Sequence, residues 1–243
     1  MLRGMANYYM ETFPVGMLQC NCTIIVQEGS KAALVVDPGD EAQLISKKLQ
    51  SLGVGVHTIW HTHAHLDHVG ATKKLYELFV EGNKAYDLAP PKIYLHKEDL
   101  WLYDNVSLQA QFLGMNSFEV PQLTGWIKDG QTYEGFDGVE SIVTPGHTPG
   151  SCCLCVNGQS DISAPKSYSV GKWEKIPQIL LTGDTLFRRG IGRTDLWGGD
   201  SQKIEKSIKN KLYKKSPEAV VIPGHGPLTI IEQEIEKNPF VRG

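Results

Sequence analysis

Within six residues, His63-Ala64-His65-Leu66-Asp67-His68, the chain gathers three imidazoles and a carboxylate. An apolar run ending at Trp60 leads into the cluster, and a helical pattern beginning near Gly70 leads out of it. So many polar, titratable side chains cannot all be core residues. Imidazole and carboxylate suit Zn, Fe or Mn, and a strand-to-helix loop can aim alternating side chains at two neighbouring points. The bland alternative is a solvated loop that binds metal adventitiously. It loses ground to further ligand types elsewhere: His147 in Pro145–Gly150, Asp184 in Thr182–Thr185 and His225 in Pro223–Gly226. Each follows an apolar run, and glycine or proline beside each allows a sharp turn that exposes the ligand at a shared sheet edge.

The rest of the chain supplies such an edge. Strands are expected at Thr23–Gln27, Ala32–Val36 and Val56–His61, with a helix over Glu41–Leu52 whose Ala42, Ile45, Leu49 and Leu52 share a face. Asp37-Pro38-Gly39-Asp40 closes the second strand and can cap that helix. A helix over Ala71–Phe79, a polar loop Glu81–Pro91 and a strand Ile93–Leu95 follow. A less regular aromatic stretch then runs from Trp101 through Phe112 to Trp126, its rings suited to core or pocket wall. Strands return at Gly138–Thr144, Ser151–Val156, Gln178–Leu181 and Ala219–Ile222, and a helix at Ser201–Leu212. This alternation implies a layered α/β sandwich. Residues 157–177, rich in Ser, Lys and Gly, break the rhythm and read as an exposed hairpin or flexible insertion within one domain spanning 1–243.

Composition narrows the function. With 24 basic against 27 acidic residues, the formal net charge of -3 gives no field to concentrate nucleic acid or anionic lipid. Met1–Asn7 is followed by no apolar run, so neither a secretory signal nor a membrane span is expected, and the chain reads as soluble and cytoplasmic. Cys20, Cys22, Cys152, Cys153 and Cys155 are odd in number and sit inside apolar runs, which reads as buried reduced thiols rather than a disulfide framework. His61 adjoins the cluster and suits a strand or supporting position; His57 and His96 lie outside any ligand context.

The cluster resembles that of the metallo-β-lactamase superfamily. Gly183-Asp184-Thr185-Leu186-Phe187 with Gly192-Arg193 is similar to the short, single-domain glyoxalase II-like (hydroxyacylglutathione hydrolase-like) branch. The resemblance runs from Asp37-Pro38-Gly39 to Gly224-His225-Gly226. It implies a four-layer αββα sandwich with two divalent ions, Zn first and Fe or Mn as alternatives. On the matching positions His63, His65 and His147 would hold one ion, Asp67, His68 and His225 the other, and Asp184 would bridge them. Asp67 and Asp184 would serve catalysis as ligands rather than as acids.

The implied reaction is cleavage of a small-molecule thioester such as S-lactoylglutathione by hydroxide formed between the ions, where the pKa of water falls to about 7. A thiolate departs without acid assistance. Arg193 matches a residue that contacts glutathione in the family, and Arg188 and Arg189 could also grip a carboxylate, or all three could be a solvated basic loop. Two features depart from the longer members. Their helical C-terminal extension has no counterpart after His225, and Asp195 stands where they carry tyrosine. Other readings are an iron-dependent persulfide dioxygenase, which shares a Gly-Arg-Thr-Asp stretch like Gly192–Asp195, a β-lactamase, and a catalytically inactive binding or scaffold module.

Overall fold

The computed structural model describes residues 6–165 and 173–243. The first half builds a run of neighbouring strands: β1 (Asn7–Val15), β2 (Cys20–Gln27), β3 (Ala32–Val36), β4 (Gly55–Trp60), β5 (Lys92–His96) and β6 (Gly125–Ile127), in that spatial order. The second half builds another: β7 (Thr132–Tyr133), β8 (Phe136–Val143), β9 (Cys152–Ser163), β10 (Trp173–Gly183), β13 (Val220–Pro223) and β14 (Thr229–Ile230), with a two-strand hairpin β11 (Leu186–Phe187) and β12 (Gly190–Ile191) apart. Strand β9 joins the halves. Its first part pairs with β8 (Val156 opposite Val139), while its last part pairs with β1 (Gln159 opposite Asn7).

Side-chain alternation turns this ladder into layers. Leu34 and Val36 face one buried cluster with Leu154, Ile179 and Ile222, so the two half-sheets meet face to face. Ala33, Val35 and Ile59 point outward to α1 (Ala42–Ser51) and α3 (Thr72–Gly82) through Ile45, Leu49, Leu75 and Phe79. On the opposite side Cys153, Cys155, Leu180 and Val221 pack on Ile204, Ile208 and Leu212 of α6 (Ser201–Ser207) and its π-turn continuation, and on Ile231 of α7 (Ile231–Lys237). The order helix, sheet, sheet, helix is the four-layer αββα sandwich expected. Trp60 spans the inner seam and donates its indole N–H to Tyr133 Oη at 2.6 Å. Among the described residues no helix is long and apolar enough to cross a membrane.

Several local expectations change. Strand β1, unassigned from sequence, carries Pro14 beyond the part that pairs with β9, where no ladder donor is needed on that side. The cluster opens a one-turn helix α2 (Leu66–Val69) before α3 begins, and a 3₁₀ turn Asn83–Tyr86 occupies the polar loop. The irregular stretch folds as α4 (Leu100–Asp104) and α5 (Val106–Phe112). Asp37 does not cap α1, whose N-cap Glu41 makes no side-chain capping bond. The flanks of 157–177 are not an exposed insertion: Ile162 and Ile176 are buried in the inner cluster as β9 and β10 extend, and residues 166–172 lie outside the described residues. The five cysteines are buried and free.

Candidate metal centre

The site lies where β4, β8, β10 and β13 end. Past Trp60 the chain bends at Thr62 and is extended again at His65, with φ -73° and ψ 148°, before α2 turns Asp67 and His68 inward. His147 comes from the β8–β9 loop, Asp184 from the turn after β10 and His225 from the turn after β13. Two glycines make the close approach possible. Gly183 has φ 47°, and a Cβ there would stand 2.4 Å from Thr62 Oγ1; a Cβ on Gly224 would stand 2.2 Å from Asp184 Oδ1.

Two donor groups result. His65 Nδ1 lies 3.1 Å from His63 Nε2 and 2.9 Å from His147 Nε2. Beside them His68 Nε2 lies 3.3 Å from His225 Nε2, and His225 Nε2 lies 3.1 Å from Asp67 Oδ2. Asp184 faces both groups: Oδ2 is 3.6 Å from His147 Nε2, and Oδ1 is 3.5 Å from His68 Nε2 and 3.7 Å from His225 Nε2. The sequence-expected ligands His63, His65, Asp67, His68, His147, Asp184 and His225 are thus brought together.

The outer hydrogen bonds fix which ring nitrogens carry lone pairs. His147 Nδ1–H donates to the Arg193 carbonyl at 2.8 Å and His225 Nδ1–H to the Leu18 carbonyl at 2.9 Å. His68 Nδ1–H donates to Asp37 Oδ2 at 2.9 Å. The Thr62 hydroxyl donates to the same Asp37 oxygen at 2.7 Å, so its lone pairs accept from His63 Nδ1–H at 3.0 Å. In the neutral form of each ring, the inward Nε2 atoms of His63, His68, His147 and His225 are therefore lone pairs aimed at one another. Such an arrangement repels itself unless a cation sits among them. The buried Asp184 Oδ1, which has no hydrogen-bond partner, fits the same group. Burial, then the neighbouring imidazoles, hold His63 well below the ordinary histidine range, and burial followed by His147 takes His65 down to about 3. Burial would raise Asp67, but the facing His68 and His225 outweigh it and hold its carboxyl below the usual range. Burial would lower His68 and His225, but their acidic neighbours, Asp67 and Asp184 among them, raise both above the ordinary histidine range, so a cation bound there displaces a proton; neutral imidazole and ionised carboxylate are the forms that ligate.

Residues given no place at the site from sequence, Asp37, Asp99, Gln109 and Asn21 among them, build the frame. Asp37 locks Thr62 from two sides, accepting also from its backbone N–H at 2.8 Å. Buried Asp99 ties the two loops of the first donor group together: it accepts from Ala64 N at 3.1 Å, Thr148 Oγ1 at 2.7 Å and Gly150 N at 2.6 Å. Gln109 of α5 bonds Leu66 N and Ala64 O, each at 3.0 Å. Asn21 secures the His225 turn through Pro223 O and Gly226 O, each at 2.9 Å. Cys20 Sγ lies 3.5 Å from His68 Nδ1, the outer nitrogen that Asp37 already takes. His61 is buried with its Nε2 3.2 Å from Thr72 Oγ1.

The arginines separate. Arg189 turns away to α7, where its Nη1 lies 2.6 Å from the fully buried Glu234. Arg188 is exposed. Arg193 lines the mouth of the centre, a cavity of about 420 Å³ shared with His65, Asp67, His147 and Asp184, and its guanidinium forks onto Asp195 with two bonds of 2.7 Å.

Comparison with known proteins agrees with this geometry. Residues 15–225 match the profile of the Metallo-beta-lactamase superfamily. The hydroxyacylglutathione hydrolase GloC of Haemophilus influenzae is 31% identical over 234 residues, covering 96% of this chain and 97% of the relative. Among solved structures, TTHA1623 in a di-iron-bound form aligns with TM-score 0.72 at 31% identity, covering 94% of this chain and 98% of the other. The BLEG-1 B3 metallo-beta-lactamase aligns with TM-score 0.74 at 30% identity, covering 96% and 100%.

Proposed function

The chain belongs to the metallo-β-lactamase superfamily and is a metal-dependent hydrolase, and from this we propose that it cleaves a small-molecule thioester at a centre of two divalent ions. His63, His65 and His147 hold the first ion, Asp67, His68 and His225 the second. The observation that carries the reading is Asp184, whose two carboxylate oxygens face the two donor groups separately. Divalent ions held by these residues would supply a water acidic enough to ionise near neutral pH and a positive charge to polarise a carbonyl.

The protein's own residues do the rest. The outer acceptors Asp37, Thr62, Leu18 O and Arg193 O hold the rings of His68, His63, His225 and His147 with Nε2 turned inward. Asp67 and Asp184 are ligands, so neither has a proton to give a leaving group. A thiolate leaves without one, which favours a thioester over an amide. The name of the Haemophilus influenzae relative points the same way. A second reading, opening of a β-lactam, is supported by the likeness to BLEG-1.

The test is metal content of the purified protein together with turnover of S-acyl thioesters, S-lactoylglutathione among them. Two equivalents of metal and a thioesterase activity abolished in D184A are expected. Faster turnover of nitrocefin than of any thioester would favour the lactam reading. One iron with oxygen uptake on glutathione persulfide and no hydrolysis would replace the proposal by persulfide oxidation. Metal-free protein without turnover would leave a binding module.

A further inference from the structure

The mouth of the metal centre is walled by apolar side chains left open to solvent. Phe112 is 69% exposed, Leu113 54%, Leu18 44%, Trp197 38% and Leu196 36%, and all five line the cavity that holds His65, His147 and Asp184. They arrive from three separate places: the β1–β2 turn, the end of α5 and the loop after β12. The rings of Phe112 and Trp197 lie 5.4 Å apart, and Trp101 stands edge-on to Trp197 at 6.3 Å. Nothing in the fold requires such residues at the surface. An exposed apolar wall around a reactive centre marks the place of a ligand.

The polar groups at the same mouth are already engaged. The Gln109 amide is committed to Leu66 N, Ala64 O and Leu102 O. The Arg193 fork is held by Asp195. His65, Asp67, His147 and Asp184 face the donor groups. Of the side chains lining this mouth, Leu18, Leu66, Phe112, Leu113, Leu196 and Trp197 offer an acyl group only apolar surface.

We infer that the thioester cleaved here carries a large apolar acyl group, aromatic or medium-chain alkyl, lying against Trp197, Phe112 and Leu113, and not a small hydroxyacyl group such as lactoyl. The inference rests on the thioesterase reading above. The flat faces of Trp197 and Phe112 receive an aromatic or extended chain with little loss of rotamer freedom, while a lactoyl hydroxyl would be desolvated there without a partner.

Metal-loaded enzyme should be assayed with acetyl, lactoyl, hexanoyl and phenylacetyl thioesters of one common thiol. A kcat/KM at least tenfold higher for phenylacetyl and hexanoyl than for acetyl and lactoyl is expected. In W197A and F112A the phenylacetyl-to-acetyl ratio should fall about tenfold with metal content unchanged. Preference for lactoyl, or a ratio unmoved in both variants, overturns the inference. Calorimetric titration of the same metal-loaded protein with phenylacetate and with lactate separates the two claims. Tighter phenylacetate supports the apolar wall even if no thioester is cleaved, an outcome that would sink the thioesterase reading alone; lactate binding equally or more tightly sinks the apolar wall.

Discussion

Asp37 Oδ2 lies 2.9 Å from His68 Nδ1, on the face of the ring turned away from the donor group. Both residues are buried, and the same oxygen also receives the Thr62 hydroxyl that orients His63. One carboxylate outside the centre thus sets a ring in each donor group.

Replacing it changes the centre without touching a ligand. In D37N an amide N–H turned toward His68 Nδ1 would favour the opposite tautomer and remove the inward lone pair. Metal affinity should fall about 10–100-fold, read by chelator competition with the fold monitored by circular dichroism. Wild-type affinity in this variant would remove Asp37 from the account.

Gly224 tests the packing of the second donor group. An added methyl would meet Asp184 Oδ1 at 2.2 Å and His68 Cε1 at 2.8 Å. G224A should cost about 1–3 kcal/mol in urea unfolding, as overpacking does, and should also lower the metal bound per chain. Full metal loading would show that the turn can yield.

The arginines at 189 and 193 should behave differently. Removing Arg189 strips the buried Glu234 of its ion pair, although Thr229 Oγ1 and Asn238 Nδ2 still donate to it. R189A should lose about 3 kcal/mol of stability with KM unchanged. R193A should leave the urea midpoint where it is, since that side chain is exposed and its fork is spent on the equally exposed Asp195. A changed KM with unchanged stability in R189A would return that residue to the substrate.

The buried thiols predict an alkaline limit. Burial pushes Cys153 up from an ordinary 9.0 to about 12 and Cys155 to about 11. The folded state therefore holds these protons more tightly than the unfolded chain. Stability is complete below about pH 9 and is lost as pH climbs toward 12. The urea midpoint should fall between pH 8 and 10.5, and thiol reagents at pH 8 should label the cysteines only after unfolding. Rapid labelling of the native protein would contradict this.

The candidate ligands were legible because their chemistry is. Histidines and aspartates beside glycine, each at the end of an apolar run, have few other uses. The continuous apolar runs at 32–36, 151–156 and 219–222 likewise gave strands, since both faces of each are buried. What was hidden acts across distance in the chain. Nothing next to Asp37, Asp99 or Gln109 in sequence tells that they hold Thr62, Thr148 and Leu66. Arg189 looked like its neighbours until Glu234 was placed opposite it. The aromatic stretch resisted assignment because it serves two environments at once: Tyr103 is buried, whereas Trp101 and Phe112 face solvent.

Strand β9 pairs with β8 along one part and with β1 along the other. His63, His65, Asp67 and His68 belong to one side of that junction, and His147, Asp184 and His225 to the other. The two half-sheets therefore share a beam instead of meeting at a pivot. The spacing between the two sets of candidate ligands is therefore written into the register of one strand, and the bonds from Cys152 N to Thr62 O and from Asn21 N to Gly224 O tie the halves together again at the site itself.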